Sequence, residues 1–175
     1  SLGLDFKALP DKDGWAPQVA FVRGFPAARH PGAKTAWLTH CYAMVGAGRD
    51  MASDSSNGTE LYVVIGQSPR QLDLNITLVG RVIDGIERLS ALPRGSGPLG
   101  FYEQPGLRTP IHAIRLASDV PASERSHIQV LRTDTALFDE LVEARRNRRD
   151  EWYKVPAGHI DVCNVPVPTR IAPNA

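Results

Sequence analysis

The stretch from residue 57 to residue 92 constrains the fold most, because it carries three structural elements in a fixed order. Leu61–Ile65 is a nearly continuous apolar run between two glycines, which is typical of a strand buried on both faces. Ile76–Ile83 is a second strand-like run. Asp84 is then a candidate N-cap for a helix whose apolar stripe stops at a proline. The order predicts a unit of strand, loop, strand and helix.

The sequence before this stretch carries one strong strand signal, and the sequence after it carries another. Residues 1–36 lack a sustained period of 2 or 3.6 and are predicted to be irregular, apart from a short strand at Val19–Val22. Trp37–Val45 is rich in β-branched and aromatic residues and ends at Gly-Ala-Gly, so it predicts a strand. Pro110–Val120 has the length of a closing strand.

The C-terminal part predicts one amphipathic helix followed by an extended tail. Thr133 and Thr135 are candidate caps for a helix that runs to about Arg149, with apolar residues on one face. Residues 153–175 contain four prolines and are predicted to lie extended over the surface. Several strands with two separated helices indicate a β-rich domain, either a barrel or an α+β fold.

Composition excludes some functions. A net charge of +1 lacks the basic bias of most nucleic-acid binders, and the Arg145–Arg149 cluster lies beside acidic residues at a helix end. No apolar run has the roughly 20 residues of a membrane span. The start at Ser1-Leu2-Gly3 has neither an initiator methionine nor a signal-peptide pattern, so we expect a trimmed chain.

The two cysteines leave two states open. Cys41 and Cys163 would pair in an oxidising compartment or remain as buried thiols. A structural zinc shared by these cysteines and His159 is a weaker alternative, because no second close pair of ligands completes a tetrahedral site. We therefore predict no metal.

Two further catalytic patterns are weak. Residues 46–52 match the G-x-G-x-x-A dinucleotide fingerprint, but the polar loop that follows cannot form the helix that this motif requires. His40 and Cys41 are adjacent, and adjacent strand residues point to opposite faces, so they do not form a nucleophile–base pair.

A resemblance to a known family carries the functional prediction. Asn57–Val63 (NGTELYV), Leu72-Asp73 and Gly80-Arg81-Val82 resemble the core of the cyclophilin family of peptidyl-prolyl isomerases, and Ala43–Gly48 resembles the family's Met-Ala-Asn-Ala-Gly segment. The resemblance covers about residues 37–92, and more loosely the stretch 111–116. It implies a divergent bacterial member with a C-terminal extension.

The resemblance implies a mainly β fold with a few helices. We expect a cyclophilin-like closed β-barrel, of which this chain supplies the later strands, plus a C-terminal helix and an extended tail. The barrel portion would span residues 1–120, with 1–36 irregular, 37–92 as the best-matched core and 110–120 as the closing strand. Residues 121–175 would pack on the barrel as the helical extension and tail.

The resemblance also implies the site residues. In the family, apolar and aromatic side chains line the pocket that binds the proline ring. The matching residues here are Tyr62, Leu72 and Ile76, and we call this set the proline pocket. Val45 and Gly46 would bind the extended peptide through their backbone. Glu60 stands where the family has a glutamine and would position the catalytic arginine. That arginine belongs to a Phe-His-Arg segment that residues 1–36 lack, so we expect it in an upstream segment of the same protein.

The function implied is peptidyl-prolyl isomerisation of proline-containing polypeptide clients, without cofactor or metal. The amide rotation barrier of roughly 18–20 kcal/mol arises from resonance, and such an enzyme lowers it by favouring the twisted amide. A cyclophilin-like module that only binds such peptides is the alternative, and an unrelated β-rich structural domain is a third. The family pattern and the two cysteines point to the bacterial periplasm, with the cytoplasm as the alternative.

Overall fold

The computed structural model describes residues 5–172, so the predicted trimmed start and the last three residues of the predicted tail lie outside the described residues. The described part is mainly β with few helices, which confirms that part of the fold prediction. Its elements are β1 (Gln18–Val22), β2 (Phe25–Arg29), β3 (Trp37–Leu38), β4 (Met44–Ala47), β5 (Leu61–Val63), β6 (Leu78–Arg81), α1 (Ile86–Ser90), β7 (Ile128–Val130), α2 (Ala136–Arg146) and β8 (Thr169–Ile171).

The strands form three small antiparallel sheets. Their orders are β1-β2-β3, β5-β4-β6 and β7-β8. A barrel requires a continuous ring of hydrogen-bonded strands. Within residues 5–172 the three sheets are not joined into such a ring, so the described chain shows no closed barrel.

The predicted strand at Val19–Val22 forms within β1, but the rest of residues 5–36 is not irregular as predicted, because β1 and β2 form a five-pair hairpin. The turn is Arg23-Gly24, both with positive φ, which is the geometry that matches the twist of two-residue hairpins. The three central residues of each strand are buried, so neither strand shows the alternation of apolar and polar residues that sequence analysis relies on. The small residues Ala20, Ala27 and Ala28 further weaken the signal.

The single strand predicted over Trp37–Val45 is divided into β3 and the start of β4. Backbone hydrogen bonds from Cys41 to Thr39 and from Met44 to Cys41 form a turn between them, and Ala43 has a φ of 69°. This turn directs the fully buried side chain of His40 into the protein.

The prediction of a closing strand at residues 110–120 is wrong. Its large apolar residues are exposed, and the segment contains only a 3-10 turn at Ala117–Asp119. A segment of strand length without a partner strand cannot form a ladder, and the later pairing joins β7 to β8 instead. The predicted Asp84 cap is also displaced, because α1 follows Gly85 in the left-handed region.

Helix α2 confirms the predicted C-terminal helix, and Thr135 is its N-cap, accepting a hydrogen bond from the Phe138 amide. Its apolar face enters the core, where Phe138 packs edge-on against Phe21 of β1 with ring centroids 5.1 Å apart. Val142 lies in the same cluster, one turn further along the helix. The helical extension therefore packs on the β-rich part of the chain.

Cys41 and Cys163 form a disulfide, which settles the question that the sequence left open. The bond links the turn before β4 to a short 3-10 turn at Val162–Asn164. It connects residues 122 positions apart, so it holds the C-terminal segment covalently on the sheet that contains β4.

Candidate functional site

Strand β4 is the centre of the candidate site, because it pairs with β5 on one side and β6 on the other. Gly46 lies directly opposite Tyr62, and Val45 lies opposite Val63. Since successive strand residues point to opposite faces, the side chain of Val45 points away from the face that carries Tyr62. Any contact of Val45 with a peptide on that face is therefore through its backbone.

The Tyr62 ring lies directly over Gly46. A Cβ atom added at Gly46 would overlap the Cζ and Oη atoms of Tyr62, so no other residue fits beneath this ring in its present position. Glycine at this position follows from close packing against a cross-strand aromatic side chain. The two predicted residues are thus brought together by one contact.

The pairing of β4 with β6 is irregular at the residues predicted to bind peptide. Val45 pairs with Gly80 and Gly46 pairs with Leu78, so the register shifts between Val45 and Gly46 and Val79 is left over. A β-bulge interrupts the ladder and re-aims backbone groups, and bulges are common beside active sites. The bulge places an irregular backbone next to the Tyr62 ring.

Leu72 and Ile76 lie together in the connection between β5 and β6. The Ile76 amide donates to the Leu72 carbonyl at 3.2 Å, and both side chains are half-buried. This connection is held on β4 by a hydrogen bond from Ala47 to the Thr77 carbonyl. Ile76 lines a cavity of about 330 Å³ that Trp37 and Leu74 also line.

Glu60 is exposed and lies just before β5. Its carbonyl accepts a hydrogen bond from Gly48 at 2.8 Å, and its side chain lies beside Gly48. No ion pair involves Glu60 within residues 5–172. Arg49 is close in sequence, but its guanidinium donates to the backbone carbonyls of Asn75 and Asp50.

The structure adds a buried polar chain that ends at Tyr62. The Tyr62 hydroxyl lies 2.7 Å from His40 Nε2, and His40 Nδ1 lies 2.9 Å from Asp73 Oδ1. The His40 amide also donates to Asp73 Oδ1 at 2.9 Å. Because a carboxylate only accepts, we assign the proton to Nδ1, which leaves Nε2 of the neutral ring to accept from Tyr62.

Two further charged residues hold Asp73 in place. Arg70 Nε donates to Asp73 Oδ2 at 2.7 Å, and its two terminal nitrogens donate to Asp13 at 2.9 Å. Burial opposes the charge of Arg70, but the hydrogen bonds to Asp13 and Asp73 outweigh this effect and raise the pKa of the guanidinium. The chain of contacts therefore runs from Asp13 through Arg70, Asp73 and His40 to Tyr62.

The environment of Tyr62 keeps its hydroxyl protonated. Burial raises the pKa of Tyr62, and the negative charge of Asp73 raises it further. The ring also lies parallel to His40, with centroids 6.2 Å apart. Tyr62 is thus a fixed, neutral aromatic group whose hydroxyl proton is directed at His40, and its oxygen lone pairs remain available as acceptors.

Sequence reasoning missed this polar chain. Neither the His40-Cys41 neighbours nor the Leu72-Asp73 pair indicates by itself that His40 and Asp73 meet. The useful signal was the combination of a histidine in an apolar run with an arginine and an aspartate at Arg70 and Asp73, because buried histidines need polar partners.

The described residues hold no group of three or more metal-ligating side chains, so His159 does not join the cysteines in a zinc site; the cysteines are bonded to each other. His159 instead lies 3.7 Å from Asp11.

Among residues 5–172, no helix combines the length and apolar character needed to cross a bilayer.

No protein-family model matches the sequence, and no curated protein matches it. The crystal structure of the cyclophilin AquaCyp293 from Hirschia baltica is similar to this chain, with a TM-score of 0.70 at 19% sequence identity. The similarity covers 98% of this chain and 62% of that protein, so the chain spans less than two thirds of its length. The chain therefore has a cyclophilin-like fold.

Proposed function

We propose that this chain belongs to a peptidyl-prolyl cis-trans isomerase that acts on proline-containing polypeptide clients. The observation that carries the proposal is the Gly46–Tyr62 contact beside the β4 bulge, within a cyclophilin-like fold. Tyr62, Leu72 and Ile76 line the proline pocket in this proposal. Val45 and Gly46 bind the extended peptide through their backbone.

The proposed reaction forms and breaks no covalent bond, so it requires no nucleophile, metal or cofactor. The barrier of roughly 18–20 kcal/mol comes from the double-bond character of the amide, and it falls when the site binds the twisted amide more tightly than the planar one. A rigid apolar floor that holds the proline ring while the preceding carbonyl rotates provides this preference. Tyr62 is suited to this task because Gly46 and His40 fix its ring from two sides.

Glu60 in this proposal positions an arginine that donates to the substrate amide. A carboxylate–guanidinium pair has the strength and geometry to hold such a side chain. Arg49 and Arg70, which lie near the pocket residues in sequence, already bond to carbonyls and to buried carboxylates. Arg81 lines a separate cavity that contains no residue of the proline pocket. We therefore propose that the catalytic arginine lies in an upstream segment of the same protein.

The alternative is a binding module with the same pocket but without turnover. The engagement of Arg49 and Arg70 favours it, because it leaves Glu60 without an ion-pair partner in the described part of the chain. Both functions use the Gly46–Tyr62 contact, so they differ in rate and not in the ligand that is bound.

Glu60→Gln discriminates between the two functions. The test measures the equilibrium affinity for a short Ala-Pro peptide and the rate of its cis/trans exchange, in the wild type and the variant of a longer form that includes the natural upstream sequence. If the pocket is catalytic, E60Q changes the exchange rate more than the affinity. Affinity without any rate enhancement in either protein would leave only the binding module, and the absence of both would contradict both functions.

We further propose that the protein resides in the periplasm of a Gram-negative bacterium. The Cys41–Cys163 disulfide supports this compartment, because such bonds persist in oxidising environments and are rare in the cytosol. Alkylation of thiols in intact cells, followed by fractionation, tests it. Both cysteines should resist alkylation and the protein should fractionate with periplasmic markers; free thiols in the cytosolic fraction would contradict the proposal.

A further inference from the structure

A second cavity, of about 460 Å³, lies between the sheet that contains β4 and the C-terminal segment. Tyr42, Arg81 and Ile86 line it on the side of the sheet, and Val165 and Val167 line it on the side of the C-terminal segment. The Cys41–Cys163 disulfide lies in its wall and ties the two sides together. No residue of the proline pocket lines this cavity, so it is a separate feature.

Among the described residues, Arg81 is the only charged residue that lines this cavity, and it is half-buried. Burial lowers the pKa of its guanidinium, because no hydrogen bond or carboxylate offsets the loss of water. Within residues 5–172 the side chain of Arg81 takes part in no ion pair, whereas Arg70 and Arg146 each bond to carboxylates. A guanidinium stays charged at all physiological pH values, so its charge faces the cavity without a counter-ion.

Apart from Tyr42, Asn164 and Thr169, the rest of the lining is apolar. Ile83 and Ile86 adjoin Arg81 on one side, and Val165, Pro166 and Val167 face them from the other. A phosphate or another fully hydrated anion would find its charge partner here but would lose water against aliphatic side chains. A carboxylate attached to an aliphatic body satisfies both parts of the lining, since guanidinium and carboxylate pair in a bidentate geometry.

We propose that this cavity, which we call the Arg81 cavity, binds a small monocarboxylate with an aliphatic body. The carboxylate pairs with Arg81, and the aliphatic body contacts Ile86, Val165 and Val167. The volume lies within the range of small-molecule sites. The C-terminal extension therefore does more than cover the sheet: it supplies one wall of a ligand site, and the disulfide holds that wall in place.

The test is calorimetric titration of the 175-residue chain with octanoate. Two control ligands separate the parts of the proposal, since octanol lacks the charge and acetate lacks the aliphatic body. We expect saturable binding of octanoate and at least about tenfold weaker binding of both controls, because a charge-assisted pair and burial of a hydrocarbon chain each contribute about that factor or more.

Arg81→Gln and Arg88→Gln form a matched pair of variants. Arg88 lies on α1 and is exposed, so R88Q removes the same charge without altering the cavity. We expect R81Q to weaken octanoate binding by at least about tenfold while R88Q leaves it unchanged. Thermal unfolding of unliganded R81Q checks that it is folded, and its midpoint should equal or exceed that of the wild type because an unpaired charge has been removed.

Reduction of the disulfide gives an independent readout. With Cys41 and Cys163 reduced and the protein still folded by circular dichroism, octanoate binding should weaken, because the Val165–Val167 wall is no longer held. The proposal would be overturned if octanoate does not saturate, if octanol or acetate binds equally well, or if R81Q and R88Q give the same affinity. None of these results depends on isomerase activity, so the ligand-site proposal and the isomerase proposal are tested independently.

Discussion

Tyr62 is held by two neighbours that the sequence places far apart. Gly46 lies beneath its ring and His40 accepts a hydrogen bond from its hydroxyl, so both the plane and the rotation of the side chain are fixed. Gly46 and Tyr62 were both predicted as site residues, but their contact follows from the pairing of β4 with β5, which the sequence does not state. The part played by His40 was not foreseeable, because it depends on the turn at Ala43, which no period of the sequence reveals.

Gly46→Ala should displace the Tyr62 ring, because the new methyl group would overlap it. We expect a loss of about 1–3 kcal/mol in the free energy of unfolding, typical of an overpacked site, measured by urea denaturation. Gly80→Ala is the matched control, since an added Cβ there meets its nearest atom only at 3.9 Å. Equal stability losses in the two variants would show that the ring does not rest on Gly46.

Tyr62→Phe keeps the ring but leaves His40 Nε2 buried without a donor. A buried, unsatisfied polar atom costs about 1–3 kcal/mol, so the free energy of unfolding should fall by that amount. Tyr42→Phe is the control, because its hydroxyl bonds to Ser90 at the exposed surface and its loss should cost less than about 0.5 kcal/mol. If both variants lose the same amount, the buried chain from His40 to Asp13 does not stabilise the protein.

At the scale of elements, the predictions succeeded where a periodic pattern and a cap coincide. Helix α2 has both an apolar stripe and Thr135 as its cap, and it forms within the predicted range. Strand β1 was predicted as Val19–Val22, but β2 and its pairing were missed because the centre of β2 is buried on both faces and contains small residues. The prediction of a strand at residues 110–120 was wrong because the length of a segment does not supply a pairing partner.

Two ion pairs attach the N-terminal segment to α2, the exposed Lys7–Asp139 pair and the more buried Asp11–Arg146 pair. Arg146 donates to both carboxylate oxygens of Asp11, at 2.6 and 2.9 Å, and Asp11 is largely buried. The Arg146 hydrogen bond lowers the pKa of Asp11, and this outweighs the opposing effect of burial. The attachment therefore stabilises the fold most when Asp11 is ionised.

Asp11→Asn should destabilise the protein at neutral pH and have less effect in acid. Because the pKa of Asp11 is lower in the folded state than in the unfolded state, its contribution is complete above the unfolded value of about 3.9. It is lost as the pH falls through the lower folded value. Urea denaturation of both proteins between pH 7 and pH 2.5 should show their stabilities converging; a constant difference would contradict this account.

At the scale of the whole molecule, three small sheets and a helix are held together by contacts between distant segments. No single sheet is large enough to bury its own face, because their strands are two to five residues long. The core around Met44, Phe21 and Phe138 and the Cys41–Cys163 bond supply the connections. The sequence indicated the two cysteines but not their pairing, because pairing depends on where the tail returns to the sheet.

Replacing both cysteines by alanine should destabilise the whole molecule by about 2–5 kcal/mol, since a native disulfide that closes a long loop constrains the unfolded chain. The urea midpoint should fall correspondingly, and reduction of the wild type should give the same shift. An unchanged midpoint in both would mean that the non-covalent core alone holds the C-terminal segment in place.

The central claim is that the Gly46–Tyr62 contact forms the floor of a prolyl-isomerase pocket. Two-dimensional exchange NMR on an Ala-Pro peptide tests it most directly, because cross-peaks between the cis and trans forms report catalysis at equilibrium. It should be run on this chain and on a longer form that includes its natural upstream sequence. We predict that the longer wild type and its G80A variant accelerate exchange, while G46A reduces the acceleration at least about tenfold. Acceleration that G46A and G80A leave equally intact, or its absence in a folded longer form, would contradict the account.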